Sequence, residues 1–414
     1  MKIVIDATTT QDQFANRGPG RYTQEVVSNM VKQSHDNSRD DIYYLLTFNS
    51  PTTIESTIRD YPDIIRTINI GPCRASDKLN FVWWLRQYRP AIDALLREEI
   101  PDVYFCPYFW RGFPLRKTKT VVMIHDLAFP ILNRYSSAPK YLDWIRKFQY
   151  HNALRRVAKA DRVITNSIKT KEDLLKYVKI PKEKVLPVYL GISDRFRKVE
   201  PDMDVLLKYL PKEVIKTGYI MYYSGVEKNK NVPGLIKAYA ALRKMYKSQS
   251  EKYPPYLVLA GGDFTRLDMR NTFLAEVRYL IADLGLEEYV YFTGFFEDED
   301  LNDLICGCSV FTHLSLYEGF GFAPLEAMRC GAPVVASNRS CYPEVLGDGA
   351  LLVDPEDTEA VAQAYYKVTT DDTFAQELGE SGMIRSEGYT WENTAAQTYK
   401  ILEQVAANGK RKKL

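Results

Sequence analysis

Two glutamates, Glu318 and Glu326, stand eight positions apart in the stretch YEGFGFAPLEA, with two glycines, two phenylalanines and a proline between them. Carboxylates only accept hydrogen bonds, and a pair of them suits the vicinal hydroxyls of a sugar or a ribose. The stretch is preceded by SVFTHLSL and followed by APVVAS, both of which read as strands, with APLEAMRCG as a helix between. Pro324 suits the first position of that helix, where its missing N–H would lack a partner anyway. Gly331, with Pro333 just beyond, marks the helix end. The loop then presents the backbone N–H groups of Gly321, Phe322 and Ala323 at a helix N-terminus, where free donors and the helix dipole attract anions. Gly319 and Gly321 remove side chains from that approach. On this reading Glu318 ends the strand and Glu326 sits in the first helical turn, one on each side of the anion position. Taken singly, each piece has a plain structural account: an acidic residue complements the helix dipole, and Gly-Phe-Gly makes a tight turn. Together they predict a ligand that carries both phosphate and hydroxyls.

Other strand ends carry further candidates. YSGVEKNKNVPGLIKAY is a second strand–loop–helix, and its loop offers Lys228 and Lys230. In NRGPGRYTQEVV, Gly18 and Gly20 open a helix, but Thr23 stands where a dinucleotide fingerprint needs its third glycine. The loop before it is also long, which argues against an NAD site. VVMIHDLAFP places His125 at the end of an apolar strand with Asp126 beside it; a structural and a functional histidine are both open there. Asp298 and Asp300 have the spacing of a metal–diphosphate motif, yet EDEDLNDLI reads as a helix start, where acidic residues belong. FVWWLRQYRPAI sets Trp83 and Trp84 beside Arg86 and Arg89, read as core with snorkelling arginines. The alternative there is a surface for a lipid-linked acceptor.

These residues need elements to hold them. Strands read at KIVID, IYYLLTF, DVYFCP, TVVMIH, RVITNS and KVLPVYL, and again at GYIMYYSG, YLVLAGG, VYFTGF, SVFTHLSL and PVVAS, with helical stretches between. Such alternation predicts α/β architecture with parallel sheets covered by helices. The pattern restarts after the polar, proline-punctuated KVEPDMDVLLKYLPKEVIKTG, so two doubly wound domains are expected, spanning 1–200 and 201–388. A last helix, TWENTAAQTYKILEQVAA, falls in 389–414. Domains of this kind bind ligands at the carboxyl ends of their strands, and two facing each other leave a cleft there.

A chain of 414 residues is long enough for two full cores. Its formal net charge of +2 argues against a nucleic-acid partner held by phosphate contacts. The six cysteines are scattered, and Cys306-Gly-Cys308 has the wrong spacing for a redox or zinc motif, so reduced thiols are expected. MKIVIDATTT reads as a first strand rather than a targeting segment. No apolar run suggests a transmembrane helix. A cytoplasmic protein is expected, with peripheral contact at the inner membrane surface left open, as is the oligomeric state. The basic NGKRKKL reads as a disordered end.

YEGFGFAPLEAMRCGAPVVASNRSCYPEVLGDGALLVDPED resembles the signature of the family 4 glycosyltransferases, retaining enzymes of the GT-B fold, whose hallmark E-x7-E is matched by Glu318 and Glu326. The resemblance extends over most of the chain and is strongest from about 218 to 356. It implies a nucleotide diphosphate sugar as donor and a glycan, polysaccharide or lipid-linked saccharide hydroxyl as acceptor, with no cofactor and no metal. It implies further that Glu318 holds donor-sugar hydroxyls, Glu326 the ribose, and the backbone from Phe320 through Gly321, Phe322 and Ala323 the diphosphate. By the same resemblance Gly225 closes the strand before the basic loop, Lys230 stabilises the leaving diphosphate, and Gly20 belongs to a loop over the donor phosphate. His125 would contact the donor sugar without acting as general base, and the resemblance further implies that 1–200 is the acceptor-side domain, 201–388 the donor domain, and the helix in 389–414 one that returns to the first domain. The chain departs from the family where arginines are usual: Val226 and Asn229 stand there instead. HDLAFP and KNKN lean toward mannosyl or related hexosyl transfer. Two rivals remain at this point: a nucleotide-sugar epimerase or phosphorylase on the same fold, and a non-catalytic sugar-nucleotide-binding subunit, which the missing arginines favour.

Overall fold

The computed structural model describes residues 1–11, 15, 17–71, 90, 94, 100–110, 118–128, 140–249, 253–264 and 272–407, with backbone alone at 140–146, 149, 263 and 272. Trp83, Trp84, Arg86, Arg89, Cys73 and the basic end 408–414 lie outside the described residues. The chain forms two units: residues to 128, 140–191 and 389 onward make the first, and 192–388 the second.

The first unit holds β1 (Lys2–Asp6), β2 (Ile42–Thr47), β3 (Ile65–Asn69), β4 (Val103–Cys106), β5 (Lys119–Ile124), β6 (Arg162–Thr165) and β7 (Val185–Pro187). They form one parallel sheet in the order β3-β2-β1-β4-β5-β6-β7. Its inner strands are apolar along their length because helices cover both faces: Ile3, Ile5, Val103, Phe105, Val121 and Met123 have no exposed surface. The edge strand β3 was not read from the sequence. Only Ile65 is buried in its IRTIN, so the apolar run that marks the inner strands is missing.

The second unit holds β8 (Tyr219–Tyr223), β9 (Tyr256–Ala260), β10 (Val290–Phe292), β11 (Val310–His313), β12 (Val334–Ser337) and β13 (Leu351–Val353). They make a parallel sheet in the order β10-β9-β8-β11-β12-β13. β13 is also an edge strand, only half-buried, and was not anticipated. Its core runs from Ile220 and Tyr222 through Val232, Ile236 and Tyr239 of the Val232–Gln249 helix to Tyr365 and Val368 of the Thr358–Thr370 helix. The stretch 203–217 forms two short helices, Met203–Tyr209 and Lys212–Thr217, within this unit.

The helix Trp391–Ala407 packs in the first unit, against the helix Gly18–Asp36. Its buried stripe of Trp391, Ala395, Leu402 and Val405 repeats at helical spacing. Hydrogen bonds pin it at three places: Thr394 Oγ1 donates to the Tyr189 carbonyl at 2.9 Å, Tyr399 Oη to Asp41 at 2.8 Å, and Gln33 Nε2 to the Glu392 carbonyl at 2.9 Å. Among the described residues, no helix is long and apolar enough to cross a membrane.

Candidate active site

Each sheet reverses its strand order once, between β1 and β4 in the first unit and between β8 and β11 in the second. Crossover connections leave such a point in opposite directions, so the loops beyond the carboxyl ends part and leave room for a ligand. In the second unit those two loops carry Lys230 and Glu318.

The sequence reading ran the strand before Glu318 too far. β11 stops at His313, because from there the chain crosses to the loop after β8: Leu316 N–H donates to the Asn229 carbonyl at 2.7 Å, and Asn229 Nδ2 to the Tyr317 carbonyl at 3.2 Å. Glu318 therefore sits in a loop, five residues past the strand end. Its backbone is held from both sides by Ser340, whose Oγ accepts from Glu318 N–H at 3.1 Å and donates to the Glu318 carbonyl at 2.6 Å.

The helix after it also begins earlier than expected. It spans Phe322–Arg329, capped by Gly321 in the left-handed region at φ 86°. Pro324 is thus its third residue rather than its first, a place still among the N-terminal positions that need no N–H. Glu326 is its fifth residue, beyond the first turn, and is 1% exposed. The helix closes as anticipated around Gly331: Ala332 N–H reaches the Ala327 carbonyl at 3.1 Å and Gly331 N–H the Met328 carbonyl at 2.9 Å, the paired bonds of a glycine C-cap. Gly321 could carry no side chain, since a Cβ there would run into the ring of Tyr342. Phe320 is buried with its ring 5.5 Å from that of Phe322.

Lys230 and Glu318, placed on different parts of a ligand by the sequence reading, meet each other: Nζ lies 2.6 Å from Oε1, with side chains 18% and 16% exposed. Ser315 Oγ donates to the same oxygen at 2.9 Å. Burial pushes the Glu318 carboxyl up, and the Lys230 charge with these two hydrogen bonds outweighs it, so the group titrates below its ordinary value. Lys230 ends a short 3-10 turn, Lys228–Lys230, that Asn231 closes in the left-handed conformation at φ 56°, its Nδ2 donating to the Pro355 carbonyl at 2.8 Å. Lys228 is exposed, a solvated loop lysine, and Val226 is buried. Gly225 passes close to the Glu227 carboxylate, which a Cβ would strike, and its carbonyl accepts from Tyr222 Oη at 2.8 Å.

Beneath the pair lies a residue that the motif reading passed over. His313, the last residue of β11, is 2% exposed. Its Nδ1 is 2.7 Å from Tyr342 Oη and 3.2 Å from Ser315 Oγ, and its ring stacks on Tyr222 at 5.4 Å. Burial, with the Lys230 charge adding to it, lowers its pKa from 6.5 to about 3. A polar residue closing an apolar strand beside the motif was the one signal available.

In the first unit, Gly20 is the buried third residue of the Gly18–Asp36 helix, and Tyr22 of that helix meets His125 edge-on at 5.0 Å. His125 follows β5 and is 8% exposed. Its Nε2 lies 2.8 Å from the Pro107 carbonyl, which can only accept, so Nε2 carries the proton and Nδ1 is the acceptor. Burial lowers its pKa from 6.5 to about 4 against that hydrogen bond, and the ring is neutral at pH 7. Asn166 Nδ2 holds the His125 carbonyl at 2.6 Å.

The DxD pair is absorbed by structure: Asp298 meets Arg195 at 3.3 Å, and Asp300 accepts from Tyr209 Oη at 2.7 Å and Lys208 at 3.3 Å. Among the described residues no group of three or more His, Cys, Asp or Glu side chains is placed to hold a metal ion. Cys106, Cys308, Cys330 and Cys341 are buried cysteines and Cys306 a half-buried one, each outside any disulfide.

The second unit's parallel sheet thus gathers a cation, a carboxylate and a helix N-terminus at its strand-order reversal. The chain belongs to the family 4 glycosyltransferases: the Glycosyltransferase Family 4 model matches residues 17–196 and the Glycosyl transferases group 1 model residues 211–384. It is 30% identical over 318 residues to the serotype-specific mannosyltransferase WbdA of Escherichia coli, covering 74% of this chain and 37% of that protein. The chain thus spans little more than a third of that relative's length. It is 27% identical over 421 residues to the O-antigen chain mannosyltransferase B of Escherichia coli, covering 97% of this chain and 100% of that one. Among solved structures, sucrose-phosphate synthase from Thermosynechococcus elongatus superposes with a TM-score of 0.75 over 99% of this chain and 100% of that chain, at 20% identity. Anabaena HepE in complex with UDP and glucose gives 0.67 over 98% and 100%, at 17% identity. The fold is GT-B, two Rossmann-like units.

Proposed function

We propose that the protein transfers a hexose, with a lean toward mannose, from a nucleotide diphosphate sugar to a saccharide or lipid-linked saccharide hydroxyl, with retention. The observation that carries this reading is the Lys230–Glu318 pair at 2.6 Å, set where the sheet order reverses and next to the N-terminus of the Phe322–Arg329 helix. The mannosyl lean is supported by the printed activities of WbdA and the O-antigen chain mannosyltransferase B. UDP and glucose bound to the HepE fold relative support a sugar nucleotide as donor.

On this reading the helix N-terminus and Lys230 take the charge of the departing diphosphate, the work a cation would otherwise do, and no cofactor is needed. Glu318 accepts from donor-sugar hydroxyls and Glu326 from the ribose. His125 of the first unit, neutral with Nδ1 as an acceptor, suits a hydroxyl ligand rather than the role of a general base. The backbone from Phe320 to Ala323 and the loop at Gly225 border the phosphates. The protein works in the cytoplasm, at or near the inner membrane surface when its acceptor is lipid-linked.

Thermal-shift measurements with UDP-, GDP-, ADP- and dTDP-sugars test the donor assignment. A donor at about 100 times its dissociation constant stabilises by about 2.7 kcal/mol, and no shift with any of them overturns the assignment. The second reading, a non-catalytic binding subunit, draws on the uncharged Val226 and Asn229 in the basic loop, where Asn229 ties two loops together instead of meeting phosphate. Donor hydrolysis by the isolated chain that disappears in Glu318→Ala supports the enzyme; binding without any turnover supports the subunit.

A further inference from the structure

The His313 imidazole joins the two loops that carry the proposed site. On one side it stacks on Tyr222, whose hydroxyl holds the Gly225 carbonyl in the loop after β8 at 2.8 Å. On the other, Nδ1 faces two hydroxyls, Tyr342 Oη at 2.7 Å and Ser315 Oγ at 3.2 Å. Ser315 has a competing acceptor, Glu318 Oε1 at 2.9 Å, the oxygen that also meets Lys230. A hydroxyl has a single proton to give, so Ser315 serves either His313 or Glu318 but not both fully. Tyr342 stands edge-on to His313, ring centroids 6.0 Å apart at 90°, and its ring also backs Gly321, the cap of the site helix.

We propose that Tyr342, His313 and Ser315 are positioning residues for the Glu318–Lys230 pair: Tyr342 donates its proton to His313 Nδ1, and so leaves the Ser315 proton for Glu318. His313 is then held as the Nε2–H tautomer. Removing the Tyr342 hydroxyl gives Nδ1 an unused lone pair, Ser315 turns to it, and Glu318 loses one of its two side-chain donors. The carboxylate that orients the sugar is then less well fixed, although no residue touching the substrate has changed. The inference rests on the reading of Glu318 and Lys230 as donor-binding residues.

The test is a double-mutant cycle on donor affinity, measured by calorimetry with the sugar nucleotide that wild type binds. Tyr342→Phe keeps the ring against Gly321, and Ser315→Ala removes the proton at issue. Each is expected to weaken binding about tenfold, the range for a hydrogen bond to a charged group, and the double variant is expected to bind about tenfold, not a hundredfold, more weakly than wild type, because both break one chain. Additive losses, or an unchanged affinity in Tyr342→Phe, overturn the proposal. If wild type binds no sugar nucleotide, the functional reading fails instead, and a second measurement still decides the inference. Nitrogen-15 NMR of His313 in wild type is expected to show the Nε2–H tautomer. A proton on Nδ1 overturns the assignment. The acid limb of kcat/KM is a third readout: with Lys230, His313, Tyr342 and Cys341 around Glu318, loss of the Ser315 donor moves that limb upward in both single variants. A variant that merely loosens packing leaves the limb where it was.

Discussion

Lys230 and Glu318 lie 2.6 Å apart, and Ser315 donates to the same carboxylate oxygen. Lys230→Ala is expected to lower kcat/KM for transfer by about 10²- to 10³-fold, the scale for losing a preorganised group that stabilises developing charge. Steady-state kinetics with the donor that wild type uses decides it, and a loss confined to KM would argue against a role on the leaving group. Histidine at 125 has a consequence for stability. Its folded pKa of about 4 lies below the ordinary 6.5, so the unfolded chain binds the extra proton first and acidification favours unfolding. That contribution is present above pH 6.5 and is lost as pH falls from 6.5 toward 4; His313 adds to the loss from the same pH 6.5 on toward 3, and Glu318, shifted downward, acts in the same direction below the ordinary carboxylate value. Urea unfolding of His125→Gln at stepped pH is expected to lose stability less steeply over that window than wild type. An equally steep fall would mean that other groups carry the acid sensitivity. Glu318 was nominated by its type and spacing, Lys230 and His125 only with the family resemblance added, whereas the partnership of Lys230 with Glu318 was not legible, because the two stand 88 positions apart in sequence.

Strand ends and helix starts decide where those side chains point. The Phe322–Arg329 helix was legible in kind, from its glycines and proline, but its start was placed two residues late. The reason is Gly321, whose positive φ turns the chain into the helix at once. Gly321→Ala should cost about 1–3 kcal/mol for the backbone conformation, with the collision against the Tyr342 ring added. Chemical unfolding measures the cost and donor titration its effect on the site. A fully stable variant would show that the cap tolerates a side chain. The strand β11 was overextended because Leu314 and Leu316 continue its apolar pattern, yet Leu316 spends its N–H on Asn229 of another loop rather than on a neighbouring strand. Periodicity reports burial, and a buried loop beside a site has the same signature as a strand. The edge strands β3 and β13 escaped for the opposite reason, having too little buried surface to show a pattern.

At the scale of the molecule, the last helix belongs to the unit formed by the start of the chain. Gly191 passes so close to the backbone of Thr390 and Trp391 that a Cβ would overlap it, and Gly191→Ala is expected to loosen that helix. Hydrogen exchange should then quicken across Trp391–Ala407 and in the Gly18–Asp36 helix it covers, while exchange in β8–β13 stays as it was. Protection that remains unchanged in the helix would place its anchoring elsewhere, at Thr394 and Tyr399. By itself the sequence determined the two parallel-sheet units, the nature of their helices and the residue types of the site. Those follow from local patterns of burial, glycine and charge that a chain carries wherever it folds. Only the tertiary structure decided which side chains meet. The strand order β10-β9-β8-β11-β12-β13 brings the loops after β8 and β11 side by side, although Lys230 and Glu318 stand 88 positions apart in the chain. That adjacency sets Lys230 on Glu318 and places His313 beneath both, a choice made by sheet pairing and core packing rather than by any short motif.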